Sequence, residues 1–254
     1  MKNPLRPPKT LLVIGDISTK QVLPDTFRLC IWNWHKCKHP GWQTDFLQLC
    51  AQSDLFLAQE ARFSPATCAL LTESRLQWNG AISFLSPVRQ IPTGIAAGCR
   101  APASTIHAYV GAREPVLHIP KMTMRLTYPL ARTQLLVLNL HAINFTGVTP
   151  FAHTLQQAAQ LVETFSGPVI VAGDFNTWSR KRTRALQELA EKLQLQEVSF
   201  TPDLRTRYWQ RPVDYLFTRG LQVVQAKALP FTSSDHHPLL ATLRYRANKP
   251  NMLK

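Results

Sequence analysis

Short, almost unbroken apolar runs that stop on polar residues constrain this chain more than any other feature. They occupy 27–34, 54–60, 134–141, 169–172, 213–217 and 239–245. Runs of this length read as strands, and their lack of polar alternation implies cover on both faces. Segments with helical spacing lie between them, at 41–52, 150–165 and 179–193. A further helix opens at Ser64-Pro65, a Ser N-cap followed by Pro in the first turn. From 78 to 128 the texture changes to shorter runs at 93–99, 105–110 and 122–128, punctuated by Pro and Gly. That pattern predicts meandering antiparallel strands. Buried strands of mixed pairing, interleaved with helices, predict a layered α/β or α+β body. Residues 1–26 carry Pro4, Pro7, Pro8 and Pro24 without a sustained period and read as an irregular arm. No repeat and no Gly/Ser linker divides residues 27–245, and 246–254 form a basic tail.

Composition excludes several functions. With 45% hydrophobic and 17% charged residues the chain is neither disordered nor fibrous. No apolar run approaches the ~18–20 residues that cross a bilayer, so no integral membrane association is expected. The apolar stretch Leu11-Leu12-Val13-Ile14 is too short for a secretory core of ~7–15 residues. Cysteines stand at 30, 37, 50, 68 and 99, an odd set without a CxxC pair. This argues against zinc or redox chemistry and fits a reducing, cytoplasmic setting. The net charge of +14 favours an anionic partner, nucleic acid ahead of an anionic membrane surface.

Against that basic background, the placement of the scarce acids is informative. Glu60, Asp174, Asp214 and Asp235, together with His141, each lie in or just after an apolar run. Buried carboxylates are unfavourable unless paired or bound to metal. Oxygen donors gathered at strand ends suit a hard cation such as Mg²⁺ or Mn²⁺.

Four segments sharpen this: Trp32-Asn33, Ala58-Gln59-Glu60, Gly173-Asp174-Phe175-Asn176 and Ser234-Asp235-His236, with Val213-Asp214-Tyr215 between the last two. In this order they resemble the endonuclease/exonuclease/phosphatase superfamily, the DNase I-like enzymes, over roughly residues 27–245. The texture around Leu140-His141-Ala142 and Thr177-Trp178-Ser179 looks like the YafD-like branch of bacterial proteins. The resemblance implies a four-layer sandwich of two mixed β-sheets flanked by helices, and Mg²⁺-dependent hydrolysis of phosphate esters. It implies that Glu60 binds the metal, with Asn33 and Asp235 beside it. Asp174 would orient or deprotonate water, and Asn176 would hold the phosphate or the nucleophile. Asp214 would orient His236, and His236 would contact the scissile phosphate. His141 matches the family's strand-end histidine, a general acid or phosphate contact. No acid occurs between Glu73 and Glu114 to support it, which favours the phosphate-contact role. His237 should point away from His236 if the segment is extended.

The run Arg180-Lys181-Arg182-Thr183-Arg184 follows directly and falls at a predicted helix N-terminus, where cations oppose the helix dipole. With Trp178, Arg62 and Arg113 it is expected to form a substrate-binding rim for phosphates and bases. The sequence therefore favours a nuclease. The alternatives are a lipid or small-molecule phosphoesterase of the same superfamily, and a non-catalytic nucleic-acid-binding protein.

Overall fold

The computed structural model describes residues 11–15, 21–86, 89–115 and 118–246. In chain order the first part contains β1 (Leu11–Ile14), β2 (Thr26–Asn33), α1 (Trp42–Ala51), β3 (Leu55–Arg62), α2 (Pro65–Glu73), β4 (Gln77–Leu85) and β5 (Pro92–Cys99). The middle follows as β6 (Thr105–Arg113), β7 (Pro120–Leu130), β8 (Thr133–His141), α3 (Val148–Val162), β9 (Val169–Asp174) and α4 (Arg180–Lys192). The last part holds β10 (Gln196–Glu197), β11 (Arg207–Tyr208), β12 (Arg211–Pro212), β13 (Asp214–Arg219), β14 (Gln222–Ala228) and β15 (Leu239–Arg244).

The strands form a seven-stranded sheet, β1-β4-β5-β3-β2-β15-β14, and a six-stranded sheet, β10-β13-β9-β8-β7-β6. The pairs β2/β3 and β8/β9 are parallel and the other neighbours antiparallel, so both sheets are mixed. Their inner faces meet in one core that includes Phe27, Leu29, Leu57, Met124, Leu126, Val137 and Ile170. Alternation along each strand sends the other side chains outward to helices. Cys30, Trp32 and Phe56 pack with Phe46, Leu49 and Cys50 of α1 and Leu71 of α2. Leu136, Leu138 and Leu140 pack with Phe151, Leu155 and Ala158 of α3 and Leu186 and Leu189 of α4. This is the expected four-layer sandwich. Among the described residues, no helix is long and apolar enough to cross a membrane.

Two polar side chains cross the inter-sheet core. Asn139 of β8 donates its amide to the carbonyls of Ala58 and Ala96 at 3.1 and 2.8 Å. Gln59 of β3 donates to Asn139 Oδ1 at 2.7 Å, and all these groups are buried. The link lies one residue before Glu60 and two before His141, so it sets how the two site-bearing strand ends face each other.

The irregular-arm expectation for 1–26 needs correction. Leu11–Ile14 pairs antiparallel with β4, and buried Leu23 bridges to Leu130. The rest of that arm up to residue 20, Gly15 excepted, lies outside the described residues, as does the basic tail beyond Arg246. Strand β14 was not anticipated. Its QVVQAKA sequence has its first four residues exposed at a sheet edge and lacks the buried-run signature.

Gly173 shows why this backbone needs glycine. Its φ is +139°, and an added Cβ would lie 2.0 Å from the Leu140 carbonyl oxygen on the neighbouring parallel strand. Gly173→Ala should therefore cost at least about 1–3 kcal/mol in a urea-unfolding measurement. Gly147→Ala, with nothing within 4 Å of its Cβ, should stay within about 0.5 kcal/mol. Equal midpoints for the two variants would contradict this account of the turn.

Candidate active site

The site is assembled by register. Asn33 pairs with Gln59 across β2/β3, His141 pairs with Asp174 across β8/β9, and Asp174 pairs with Asp214 across β9/β13. Strand ends from both sheets thus open on one cavity of about 260 Å³, lined among others by Asn33, Glu60, His141, Asp174, Asn176, Asp235 and His236. Glu60 reaches it through a register break in β3 between Ala58 and Ala61, where its own φ is +49°. Such a bulge re-aims one side chain, here out of the strand's alternation.

Asp174 is held on both carboxylate oxygens. The Asn176 backbone N–H donates to Oδ1 at 2.9 Å, and Asn33 Nδ2 donates to Oδ2 at 3.0 Å. Burial pushes its pKa well above the usual carboxylate range, against the pull of His236. His236 Nδ1 lies 2.7 Å from Asp214 Oδ2, and its Nε2 is 3.9 Å from Asp174 Oδ2. Burial alone would lower the pKa of this imidazole, but the charge and hydrogen bond of Asp214 outweigh it and raise it to about 10. The backbone is pinned as well: Trp32 Nε1 donates to the His236 carbonyl at 2.8 Å. His237 points elsewhere, its ring nitrogen against the Leu204 carbonyl, although residues 232–236 are a series of bends and not an extended strand.

Burial pushes the Glu60 pKa up, yet His141, Lys36 and Lys121 outweigh it and hold the carboxyl at about 2. Lys36 Nζ is 3.0 Å from Glu60 Oε2, although that oxygen has no partner with hydrogen-bond geometry. Asn33 Oδ1 accepts only the His35 N–H at 3.0 Å, which leaves a lone pair on the carbonyl. Asp235 stands half-exposed, 3.5 Å from His35 Nδ1. An ionised carboxylate with an unsatisfied buried oxygen, an amide oxygen and a second carboxylate on one cavity form the donor set a hard divalent cation takes, so the residues fit Mg²⁺ or Mn²⁺. Asp174, Asp214 and His236 also lie close enough to share an ion. Their arrangement favours proton chemistry, because a protonated imidazole cannot be a ligand.

His141 lines the cavity, with neighbours that the sequence did not show. Burial first, and then Lys121, hold its pKa well below the ordinary value, against the pull of Glu60. Lys121 Nζ lies 3.0 Å from His141 Nε2 and 3.0 Å from Glu114 Oε1. The same ring nitrogen lies 3.4 Å from Asp174 Oδ2, so it stands between a lysine and a carboxylate. Lys36 and Lys121 were not anticipated from the sequence. The available signal was a lone Lys heading the apolar strand 120–130. Lys36 sits in a turn, residues 35–37, with left-handed φ throughout, and leaves no pattern in the sequence.

The cationic rim divides. Arg180, Lys181 and Arg184 are exposed, and Arg184 pairs with Glu188 at 2.9 Å. Arg182 is buried at 1% exposure, which corrects its reading as a substrate contact. Its guanidinium donates to the carbonyls of Ile143, Asn176 and Thr146 at 2.7, 3.0 and 2.9 Å, and lies over the rings of Phe151 and Trp178. Helix α4 thus begins by stapling two loops beside the site. Arg62 lines a separate cavity with Cys37 and Thr67, and exposed Arg113 donates to the His118 carbonyl at 2.9 Å. Neither lines the catalytic cavity. Trp178 stands at its flank, with Nε1 3.0 Å from Asn144 Oδ1. Asn176 lines the cavity and spends one amide N–H on the Ala142 carbonyl at 3.1 Å.

Comparisons with known proteins bear on the family and the fold. Residues 32–236 match the Endonuclease/Exonuclease/phosphatase family. The UPF0294 protein plu0699 of Photorhabdus laumondii is 37% identical over 219 residues, 84% of this chain and 82% of that protein. The human Nocturnin catalytic domain superposes with a TM-score of 0.66 at 19% identity, covering 95% of this chain and 100% of that one. A family protein from Leptotrichia buccalis gives 0.68 at 15% identity, covering 86% and 100%. At these identities the superpositions speak for the fold alone.

The division of the rim makes a stability prediction. Arg182→Met would strand the carbonyls of Ile143, Asn176 and Thr146 and should cost at least about 2 kcal/mol in urea unfolding. Replacing Arg180, Lys181 and Arg184 together by Gln should leave the midpoint unchanged or slightly raised, since cations there oppose the α4 dipole. The opposite ranking would return Arg182 to the substrate rim.

Proposed function

Because the chain belongs to the Endonuclease/Exonuclease/phosphatase family, we propose that it is a divalent-metal-dependent phosphodiesterase acting on nucleic acid. The observation that carries this reading is one cavity joining ionised Glu60 with Asp174 and the buried Asp214–His236 pair. Bound at Glu60, Asn33 and Asp235, Mg²⁺ or Mn²⁺ would supply Lewis-acid neutralisation of the phosphoryl charge. Asp174, fixed by the N–H groups of Asn33 and Asn176, orients the attacking water and accepts its proton. His236, fixed at Nδ1 by Asp214, turns a cationic Nε2–H toward a phosphoryl oxygen. Lys121, propped between Glu114 and His141, adds a second fixed cation. Asn176 offers its remaining amide N–H.

Nucleic acid is preferred over a lipid or small phosphoester because of the +14 charge and the exposed cations Arg180, Lys181 and Arg184 in the first turns of α4. A non-catalytic binding protein has no need of the paired charges filling that cavity. The five cysteines are free thiols, Cys30, Cys50 and Cys99 of them buried, in keeping with a cytoplasmic protein.

The direct test is hydrolysis by purified protein of duplex DNA, single strands, RNA, sphingomyelin and phosphoinositides with Mg²⁺. A nucleic acid should be cleaved, and EDTA should abolish the reaction. Asp174→Asn and His236→Ala should each lower the rate by about 10²–10⁴. Asp214→Asn should cost somewhat less, and His141→Ala less than His236→Ala, since among the described residues no carboxylate hydrogen-bonds the His141 ring as Asp214 does that of His236. Glu60→Gln should raise the Mg²⁺ requirement with the circular dichroism unchanged. A natively folded Asp174→Asn that keeps most of its rate would sink the mechanism.

Salt titration tests the polymer contact separately. Each phosphate contact contributes about 0.9 to the slope of log K against log salt. Neutralising Arg180, Lys181 and Arg184 should make DNA binding, measured in Ca²⁺, shallower by up to about 2–3. Identical slopes would remove this face from the interface.

A further inference from the structure

Beside the catalytic cavity lies an apolar cleft of about 610 Å³, walled by Phe145, Trp178, Tyr208 and Trp209. It shares Asn144, Phe145, Asn176 and Tyr208 with the catalytic cavity, so the two are continuous. Phe145 and Trp209 are 75% and 78% exposed. Large rings so far out of the core add nothing to folding by burial.

Their backbones make the placement more unusual. Phe145 has φ +53° and Trp209 has φ +45°, the left-handed region that bulky side chains avoid. Trp209 and Gln210 form the two-residue tip of the β11–β12 hairpin, set by the pairs Arg207↔Pro212 and Tyr208↔Arg211. Both tip residues have positive φ, at +45° and +66°, and such turns prefer Asn-Gly. A tryptophan there is unfavourable to the turn and unburied by the fold, so its ring is free for a ligand.

The surroundings select the ligand. Trp178 meets Trp209 edge-to-face at 5.6 Å and is held by Asn144 Oδ1 and by the Arg182 guanidinium over its ring. One wall is therefore rigid. Amides of Asn144 and Asn176 interrupt the rings. An acyl chain would desolvate them without compensation, whereas the edge of a planar heterocycle can bond them. Exposed Arg180 and Lys181 follow Trp178 after a single residue, Ser179, and complement phosphates flanking such a ring.

We propose that this cleft is a nucleobase subsite, in which the base of the nucleotide bearing the scissile phosphate stacks on the exposed rings of Trp209 and Phe145. The proposal rests on the phosphodiesterase reading for its place next to the phosphate, but its test does not need turnover. Calorimetric titration would compare AMP with ribose 5-phosphate, which share the phosphate and differ by the base. AMP should bind about 5- to 150-fold more tightly to the native chain, the scale of one stacked base. Trp209→Asn and Phe145→Ala should each erode that advantage and leave ribose 5-phosphate binding unchanged. Trp209→Asn places a turn-compatible residue at the tip, so its thermal midpoint should hold or rise. Equal affinities in the native chain, or an advantage kept by both variants, would overturn the subsite. So would a loss confined to binding of phosphatidylcholine/phosphatidylglycerol vesicles, which would assign the rings to a membrane surface. A base advantage without hydrolysis of any phosphodiester would keep the subsite and remove the enzyme. Phosphodiester hydrolysis equally fast in all three proteins, on both normal and abasic oligonucleotides, would keep the enzyme and remove the subsite.

Discussion

The buried amide link between Asn139 and Gln59 is the constraint on which the rest of the structure depends. The site is divided between two sheets whose shared core is mostly apolar, and apolar contacts fix separation well and lateral position poorly. Hydrogen bonds are directional, and Asn139 reaches two strands of the opposite sheet at once, through the Ala58 and Ala96 carbonyls. Sliding of one sheet over the other would leave these groups unpartnered in the core, at about 1–3 kcal/mol each. Because Gln59 immediately precedes Glu60, the position of the carboxylate is inherited from that lock. The contact of Asn33 with Asp174 repeats the crossing at the cavity itself.

With the strand ends fixed, charge becomes the next problem. The cavity gathers Glu60, Glu114, Asp174, Asp214 and Asp235 in a chain with few acids. Each of the five has a cationic or hydrogen-bonding neighbour: Lys36 for Glu60, Lys121 for Glu114, Asn33 for Asp174, His236 for Asp214 and His35 near Asp235. The charges are thus paired before any substrate arrives, as electrostatic preorganisation requires. The Lys36–Glu60 pair competes with a metal for the same oxygen, so metal affinity depends on how readily the turn at 35–37 yields.

Much of this was legible in the sequence. Buried strands announce themselves by unbroken apolar runs, and 27–34, 134–141 and 169–172 are found where those runs lie. Ser64 caps α2 through the Thr67 N–H as its residue type requires. Edge strands were not legible, because β1 is only four residues long and half-exposed, and β14 mixes polar with apolar residues along an exposed edge. Among site residues, acids and amides at strand ends were found, while Lys36 and Lys121 were missed. Lysines are common on surfaces, so neither the half-exposed Lys36 nor the buried Lys121 stood out without its neighbours in space, apart from the place of Lys121 at the head of an apolar strand. Arg182 misled for the converse reason: inside a run of four cations it looks like its exposed neighbours, and only helical geometry turns it inward.

Arg182 also explains how a shared framework carries an individual surface. The catalytic groups stand on strand ends whose geometry the sheets enforce. The cleft beside them is built from the 144–147 loop and the β11–β12 hairpin, which no sheet supports. Arg182 fastens the first to the Asp174–Asn176 turn by bonding the carbonyls of Ile143, Thr146 and Asn176. Its guanidinium also lies over the Trp178 ring that meets Trp209. One buried cation therefore couples the position of Asn176, in the cavity, to the rigid wall of the cleft. Substitutions at the exposed tips, Phe145 and Trp209, change what the cleft accepts without passing through that anchor, whereas a change at Arg182 disturbs both at once. Such a division lets surface specificity vary while the chemistry beneath it stays fixed.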